Sequence, residues 1–367
     1  VIIIIEGTKM FNNYKDIYKN KRILITGHTG FKGSWLTLWL IKLGAEVIGY
    51  SLDPVNDYDN FNISVPKEKI IDIRGDIRDS SNLSNVFQNY CPDMVFHMAA
   101  QPLVKYSFEN PKYTYEVNVI GTLNVLEAIK ECINTKAAII VTSDKCYKNH
   151  EWVWGYREND ALGGYDPYSC SKACTELLVD SYRNSFLNLK DYKSHKKLIA
   201  TVRAGNVIGG GDWSKDRIIP DSIKALQENK PIEIRNPLSI RPWQHVLEPL
   251  SGYIKLGGEL LSGHEKYSGA WNFGPYSESI TTVEDVVKKV INYYGSGSYE
   301  YSKNYTKSHH EANMLSLDIS KAKYELHWNP KWGIDIAIEK TVEWYKNYKN
   351  EDFSKLCLNQ IEEYEKD

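Results

Sequence analysis

The sequence predicts an α/β fold: a doubly wound parallel sheet with helices on both faces, joined to a smaller mixed α/β substrate-binding lobe. Three observations lead there. Short apolar runs alternate with helix-length stretches from residue 21 to residue 204. The runs are almost wholly apolar rather than alternating, as strands covered on both faces require. A glycine-rich turn stands between the first strand and the first helix.

In chain order, strand patterns fall at 23–26, 46–50, 70–73, 94–97, 138–142 and 198–203. Helical patterns fall at 32–43, 113–132 and 168–186. Beyond residue 205 the texture changes. Glycine, proline and tryptophan cluster at 209–213 and 236–243, and helical patterns recur at 218–228, 246–261, 283–294 and 334–348. The expected organisation is therefore an N-terminal extension (1–20), a dinucleotide-type sheet domain (21–204), a lobe of interleaving segments (205–350) and a C-terminal tail (351–367). The tail reads as a solvated helix. Residues 1–9 are set aside as an upstream extension, with Met10 as a candidate start.

Composition narrows the function classes. Charged residues make up 25% of the chain and the formal net charge is −2, so neither nucleic acid nor an anionic membrane is expected as a partner. The apolar run Val1–Ile5 is far too short to span a bilayer. The six cysteines form no Cys-x-x-Cys pair and no cluster with histidine, so no metal is expected. Reduced thiols point to the cytoplasm.

The turn after the first strand is Gly27-His28-Thr29-Gly30-Phe31-Lys32-Gly33. Glycines at this spacing allow a tight turn and close approach to a pyrophosphate at a helix N-terminus. The expected ligand is a dinucleotide, and the sheet is of the Rossmann type. Asp53 follows the second strand, where a carboxylate accepts hydrogen bonds from the ribose of NAD and repels the extra phosphate of NADP. Lys32 pulls the other way, so NAD is favoured over NADP. His28 and Lys32 are bulky for such a turn and stand near the expected phosphates. Asp76 and Ile77 after the third strand, Ala99, Ala100 and Gln101 after the fourth, and Asn118 in the long helix complete the expected cofactor path.

Tyr168 and Lys172 lie four residues apart in Tyr-Ser-Cys-Ser-Lys, hence on one helix face. An ammonium beside a phenol is expected to lower its pKa from about 10. Such a tyrosine can take a proton from an alcohol that gives hydride to the dinucleotide. Ser143, at the end of the fifth strand, can hold the same alcohol oxygen.

These motifs, in this order, resemble the extended short-chain dehydrogenase/reductase superfamily over roughly residues 20–345. Asp144-Lys145 directly follows Ser143, where nucleotide-sugar 4,6-dehydratases usually carry Asp-Glu as acid and base. Ser-Asp-Lys-Cys-Tyr147 looks like the CDP-glucose 4,6-dehydratase branch. So do His28 and Lys32 in the glycine turn, Glu151-Trp-Val-Trp-Gly-Tyr-Arg-Glu158, Leu162-Gly-Gly-Tyr-Asp-Pro-Tyr-Ser169, Arg203-Ala-Gly-Asn-Val-Ile-Gly-Gly-Gly-Asp-Trp213 and Arg241-Pro-Trp-Gln-His-Val246.

The resemblance implies CDP-glucose as substrate. It implies transient oxidation at C4, loss of water across C5–C6, and hydride return to C6. Tyr168 and Lys172 serve the oxidation, Asp144 is the acid for C6, and Lys145 is the base for C5 if neutral, or else a charge beside the enolate oxygen. Gln101, Ser143, Asn206, Arg217 and Arg241 are the expected substrate contacts, the arginines at the diphosphate. His310-Glu311 stands where relatives place a further diphosphate contact. A homodimer and a role in deoxysugar supply for bacterial lipopolysaccharide are also implied. The alternatives are a dTDP- or GDP-sugar dehydratase, a nucleotide-sugar 4-epimerase or plain dehydrogenase, and a dinucleotide sensor without activity. Asp144-Lys145 argues against the epimerase, and the intact Tyr168–Lys172 pair against the sensor.

Overall fold

Strands and helices arise where the apolar periodicity changes from continuous to amphipathic. The computed structural model describes residues 14–276, 279, 281–302, 314–349 and 353–366. Seven parallel strands form the central sheet: β1 (Arg22–Thr26), β2 (Glu46–Ser51), β3 (Ile70–Arg74), β4 (Met94–His97), β5 (Ala137–Val141), β6 (Leu198–Ala204) and β7 (Ala270–Phe273). Their spatial order is β7-β6-β5-β4-β1-β2-β3. The longer helices are α1 (Phe31–Lys42), α2 (Ser80–Tyr90), α3 (Gly121–Glu131), α4 (Pro167–Asn184), α5 (Ile218–Gln227), α6 (Leu247–Leu261), α7 (Val283–Tyr294), α8 (Ile334–Asn347) and α9 (Phe353–Lys366).

Successive strand residues face opposite sides of the sheet. Ile23 and Ile25 enter the core that holds Trp35 and Trp39 of α1, while Leu24 enters a second core with Leu83, Val125 and Val179 from α2, α3 and α4. Both faces are thus buried, which is why the strands carry so few polar residues. The six expected strands and the long helices fall within a residue or two of their expected bounds, except for the helix expected over 113–132. That stretch divides into Pro111–Tyr115, a π-helical turn Glu116–Ile120, and α3.

Two expectations about the ends change. Residues 14–18 are helical and belong to the fold: the Tyr18 hydroxyl donates to the Ile254 carbonyl at 2.7 Å. Gly258 of α6 is what admits Tyr14, since a Cβ there would lie 2.6 Å from the tyrosine ring. The tail is not a solvated helix. Phe353, Cys357, Ile361 and Tyr364 of α9 are all buried, and the Tyr364 hydroxyl reaches Glu248 at 2.8 Å. The lobe also returns to the sheet, because β7 pairs with β6.

The register aligns Thr26 with His97 and His97 with Ile140. The carboxyl ends of β1, β4 and β5 therefore stop level with one another. Strand order reverses between β1 and β4, and open α/β sheets bind ligands outside such a switch point.

Candidate active site

The glycine turn is built for close approach. Gly27 has φ +78°, a left-handed conformation that glycine adopts without strain. A Cβ at Gly27 would lie 2.7 Å from the Ala99 nitrogen, and one at Gly33 would lie 2.1 Å from the Gly27 carbonyl oxygen. Gly30 caps α1 in an extended conformation. Turn, Ala99-Ala100 segment and helix N-terminus thus pack closely with only methyl groups from Ala99 and Ala100, a cradle that suits a pyrophosphate. Asp53 presents a carboxylate beyond β2, 83% exposed, with Arg74 Nε at 3.2 Å. Asp76 is gripped by Arg78 through both oxygens, at 2.7 to 3.1 Å, which lowers its pKa. Ile77 turns into the core, against Gly121.

Several expected contacts are placed elsewhere. The His28 ring is turned away from the phosphate cradle and buried, with Nε2 2.8 Å from Asp72 Oδ1. Gly49 makes room for it, since a Cβ there would lie 2.3 Å from the ring. Burial lowers the His28 pKa despite Asp72, so the ring is neutral near pH 7. Lys32 lies among the charges of Arg217, Asp144 and Asp212. Burial and then Arg217 push its ammonium down to about 8, while Asp144 and Asp212 oppose them.

Gln101 is not free to hold substrate. Its amide donates to the Leu103 carbonyl and the Thr114 hydroxyl at 3.1 and 2.9 Å, and its Oε1 accepts from the Leu103 N–H at 2.6 Å. Asn118 sits in the π-helical turn, a feature common at functional sites. Its side chain bonds both backbone groups of Gln101 and the Ser171 hydroxyl. It fastens the loop after β4 to α4 rather than facing a cofactor.

The residues expected to react meet near the end of β5. Ser143 caps the short turn Asp144–Cys146, accepting from the Lys145 N–H at 3.2 Å and donating to Asp144 Oδ1 at 3.0 Å. Asp144 is 4% exposed. Burial raises its pKa, against the pull of Lys145 first and then Ser143 and Lys32. On α4, Asp166 caps the helix by accepting from the Ser169 N–H at 2.9 Å, and the Tyr168 N–H is held by the Ser107 hydroxyl at 3.1 Å.

The Tyr168 phenol is not lowered as expected. Burial pushes it up to about 12, while Ser143 and Arg217 pull it down. Lys172 reaches the Val141 carbonyl at 3.3 Å instead. Burial and then Lys32 push its ammonium down to about 8.

Arg217 belongs to this cluster. It pairs with the buried Asp212 carboxylate at 2.6 Å, and its charge acts on Tyr168 and Lys32. Arg241 stands on the strand Ile240–Arg241, paired with Thr281–Thr282, and the next residue, Pro242, borders Gly205 together with Asp144. Asn206 follows β6, and its carbonyl accepts from the Gln244 N–H at 3.0 Å. His310-Glu311 lies outside the described residues. Sequence reasoning missed Glu176. Its signal was present, because Tyr168, Lys172 and Glu176 continue one four-residue stripe.

The family model described as GDP-mannose 4,6 dehydratase matches residues 24–341. The chain belongs to that family. This dehydratase-family chain is 48% identical to the CDP-glucose 4,6-dehydratase of Salmonella typhimurium, over 95% of its own length and 98% of that protein's. It is 26% identical to the dTDP-glucose 4,6-dehydratase of the same organism, over 88% of this chain and 92% of that one. Among solved structures it is similar to DesIV, a dTDP-glucose 4,6-dehydratase from Streptomyces venezuelae solved with NAD and TYD bound. That likeness has a TM-score of 0.75 at 22% identity, covering 89% of this chain and 97% of the other.

Proposed function

We propose that this chain converts CDP-D-glucose to CDP-4-keto-6-deoxy-D-glucose as an NAD-dependent hydro-lyase. One observation carries the reading: a buried carboxyl whose pKa burial raises, Asp144, adjoins Ser143 and Tyr168 near a single strand end. Oxidation at C4 needs the tyrosine, whereas loss of water needs an acid beside it. The 48% identity to a CDP-glucose 4,6-dehydratase supports the nucleotide.

The cradle of Gly27, Gly30, Gly33, Ala99 and Ala100, with Asp53 at the ribose, fits NAD. When bound, NAD supplies a hydride acceptor for C4 and a hydride donor for C6. Ser143 Oγ and Tyr168 Oη hold the C4 oxygen. Tyr168 takes the C4 hydroxyl proton, and Ser143 and Arg217 lower the cost of the phenolate, with the Lys172 ammonium one turn along the same helix face. A ketone at C4 acidifies C5–H. Asp144, whose pKa burial raises, is the proposed donor to the departing C6 hydroxyl. Lys145, next in the chain to Asp144, is the proposed base for the C5 proton. Arg217 and Arg241 bind the diphosphate and Asn206 a sugar hydroxyl.

The reading extends to a cytoplasmic homodimer. Six free cysteines support that compartment. Ile120 beside α3 and Leu177 on α4, 47% and 59% exposed, support a helix-paired dimer. The test is turnover of CDP-, dTDP-, UDP- and GDP-glucose and GDP-mannose with NAD or NADP. CDP-glucose with NAD should give the 4-keto-6-deoxy product. Turnover of another nucleotide sugar while CDP-glucose stays unchanged would overturn the assignment.

A further inference from the structure

Glu176 follows Lys172 by one more turn of α4, so Tyr168, Lys172 and Glu176 share a face. Its carboxylate is 2% exposed and meets groups from two strands. The Thr142 hydroxyl donates to Oε1 at 2.5 Å, and the Thr201 hydroxyl to Oε2 at 2.7 Å. Arg203 closes a bidentate pair, with Nε 2.9 Å from Oε1 and Nη2 2.8 Å from Oε2. Each oxygen accepts two bonds, so the buried pair is fully satisfied. Arg203 is fixed in turn, donating to the Tyr147 hydroxyl at 2.6 Å and the Glu158 carbonyl at 2.9 Å.

Thr142 directly precedes Ser143-Asp144-Lys145. Its bond to Glu176 is therefore a side-chain link between the strand end that carries the acid and the helix that carries the tyrosine. Small displacements of reacting groups lower rates steeply. We infer that Glu176 is a positioning residue, holding the Ser143-Asp144-Lys145 turn in register with Tyr168 and Lys172 through the Thr142 hydroxyl and the Arg203 pair. This rests on the active-site reading above.

The carboxylate also sets the charge around Lys172. That ammonium faces Lys32 from the glycine turn, His97 from β4, Cys146 from the turn after β5, and Glu176. Lys32 and burial drive its proton off, and Glu176 holds it on. Removing the negative charge frees the Lys172 proton at lower pH.

Two variants test this, assayed with CDP-glucose beside the wild type. Thr142→Val keeps the shape and the ion pair but removes the link. Its kcat should fall about tenfold, the effect of one lost hydrogen bond on the barrier, while KM stays within about twofold. In Glu176→Gln the alkaline limb of the kcat profile should move to lower pH by about one unit.

A folded Thr142→Val enzyme with wild-type kcat, or with its loss confined to KM, would overturn the inference. So would an unshifted alkaline limb in Glu176→Gln. If Glu176→Gln does not fold, Thr142→Val decides alone. A wild-type chain inactive on CDP-glucose sinks the substrate reading and this inference together. A wild-type-like Thr142→Val sinks only this one.

Discussion

Burial shifts Asp144 and Tyr168 in the same direction, toward the protonated form. Burial raises the Asp144 carboxyl, and it carries the Tyr168 phenol to about 12. For Asp144 this is the form an acid needs at C6. For Tyr168 it is the form left after the C4 proton has been taken. The two side chains therefore separate under substitution. Tyr168→Phe should lower formation of the C4 ketone by about a hundredfold or more, as expected for loss of a positioned base. Asp144→Asn should still form the ketone and slow water loss by a similar factor. The split is read by trapping the 4-keto sugar before and after loss of water, and equal damage to both steps would contradict the assigned roles. Gly33→Ala drives a methyl to 2.1 Å from the Gly27 carbonyl oxygen. It should weaken NAD binding at least about tenfold by calorimetric titration, and an unchanged Kd would contradict the cradle.

At the scale of elements, Glu248 at the start of α6 gathers three parts of the chain. Its carboxylate accepts from the Lys331 and Trp332 N–H groups and from the Tyr364 hydroxyl of α9. Burial raises its pKa from 4.5 to about 7. The folded state therefore binds this proton more tightly than the unfolded chain. The resulting stabilisation is complete below 4.5 and is lost as pH rises through about 7. The group accounts for roughly 3 kcal/mol at most over that window. Glu248→Gln should show a smaller fall in Tm between pH 5 and 8 than the wild type, and parallel curves would contradict the raised pKa.

The C-terminal helix shows why such contacts were hidden in the sequence. Phe353, Cys357, Ile361 and Tyr364 follow helical spacing, but polar and charged neighbours at most other positions made the segment read as solvated. Nothing local marks the partner surface, which comes from α1, α6, α8, residues 60–64 and residue 331. The glycine turn and the Tyr168–Lys172 pair were legible because their function needs fixed short spacings. The inward turn of His28 was not, because it depends on Gly49 and Asp72 across two strands.

For the whole molecule, six strands were legible from continuous apolar runs, while β7 was not. Ala270–Phe273 is four residues long and sits among lobe segments, so only its pairing with β6 reveals it. The site was legible where one segment carries the chemistry, as in Ser143-Asp144-Lys145. It was illegible where side chains arrive from separate elements, as when Arg217 joins Lys32 and Tyr168, or Glu176 joins Thr142 and Arg203.

The central claim is that one strand end performs a temporary oxidation and a dehydration in sequence. CDP-glucose deuterated at C4 tests it most directly. The product should carry that deuterium at C6, with C5 taking its hydrogen from solvent and no NADH accumulating. Deuterium trapped in accumulated NADH, or a C4-oxidised product that keeps its C6 hydroxyl, would contradict the account.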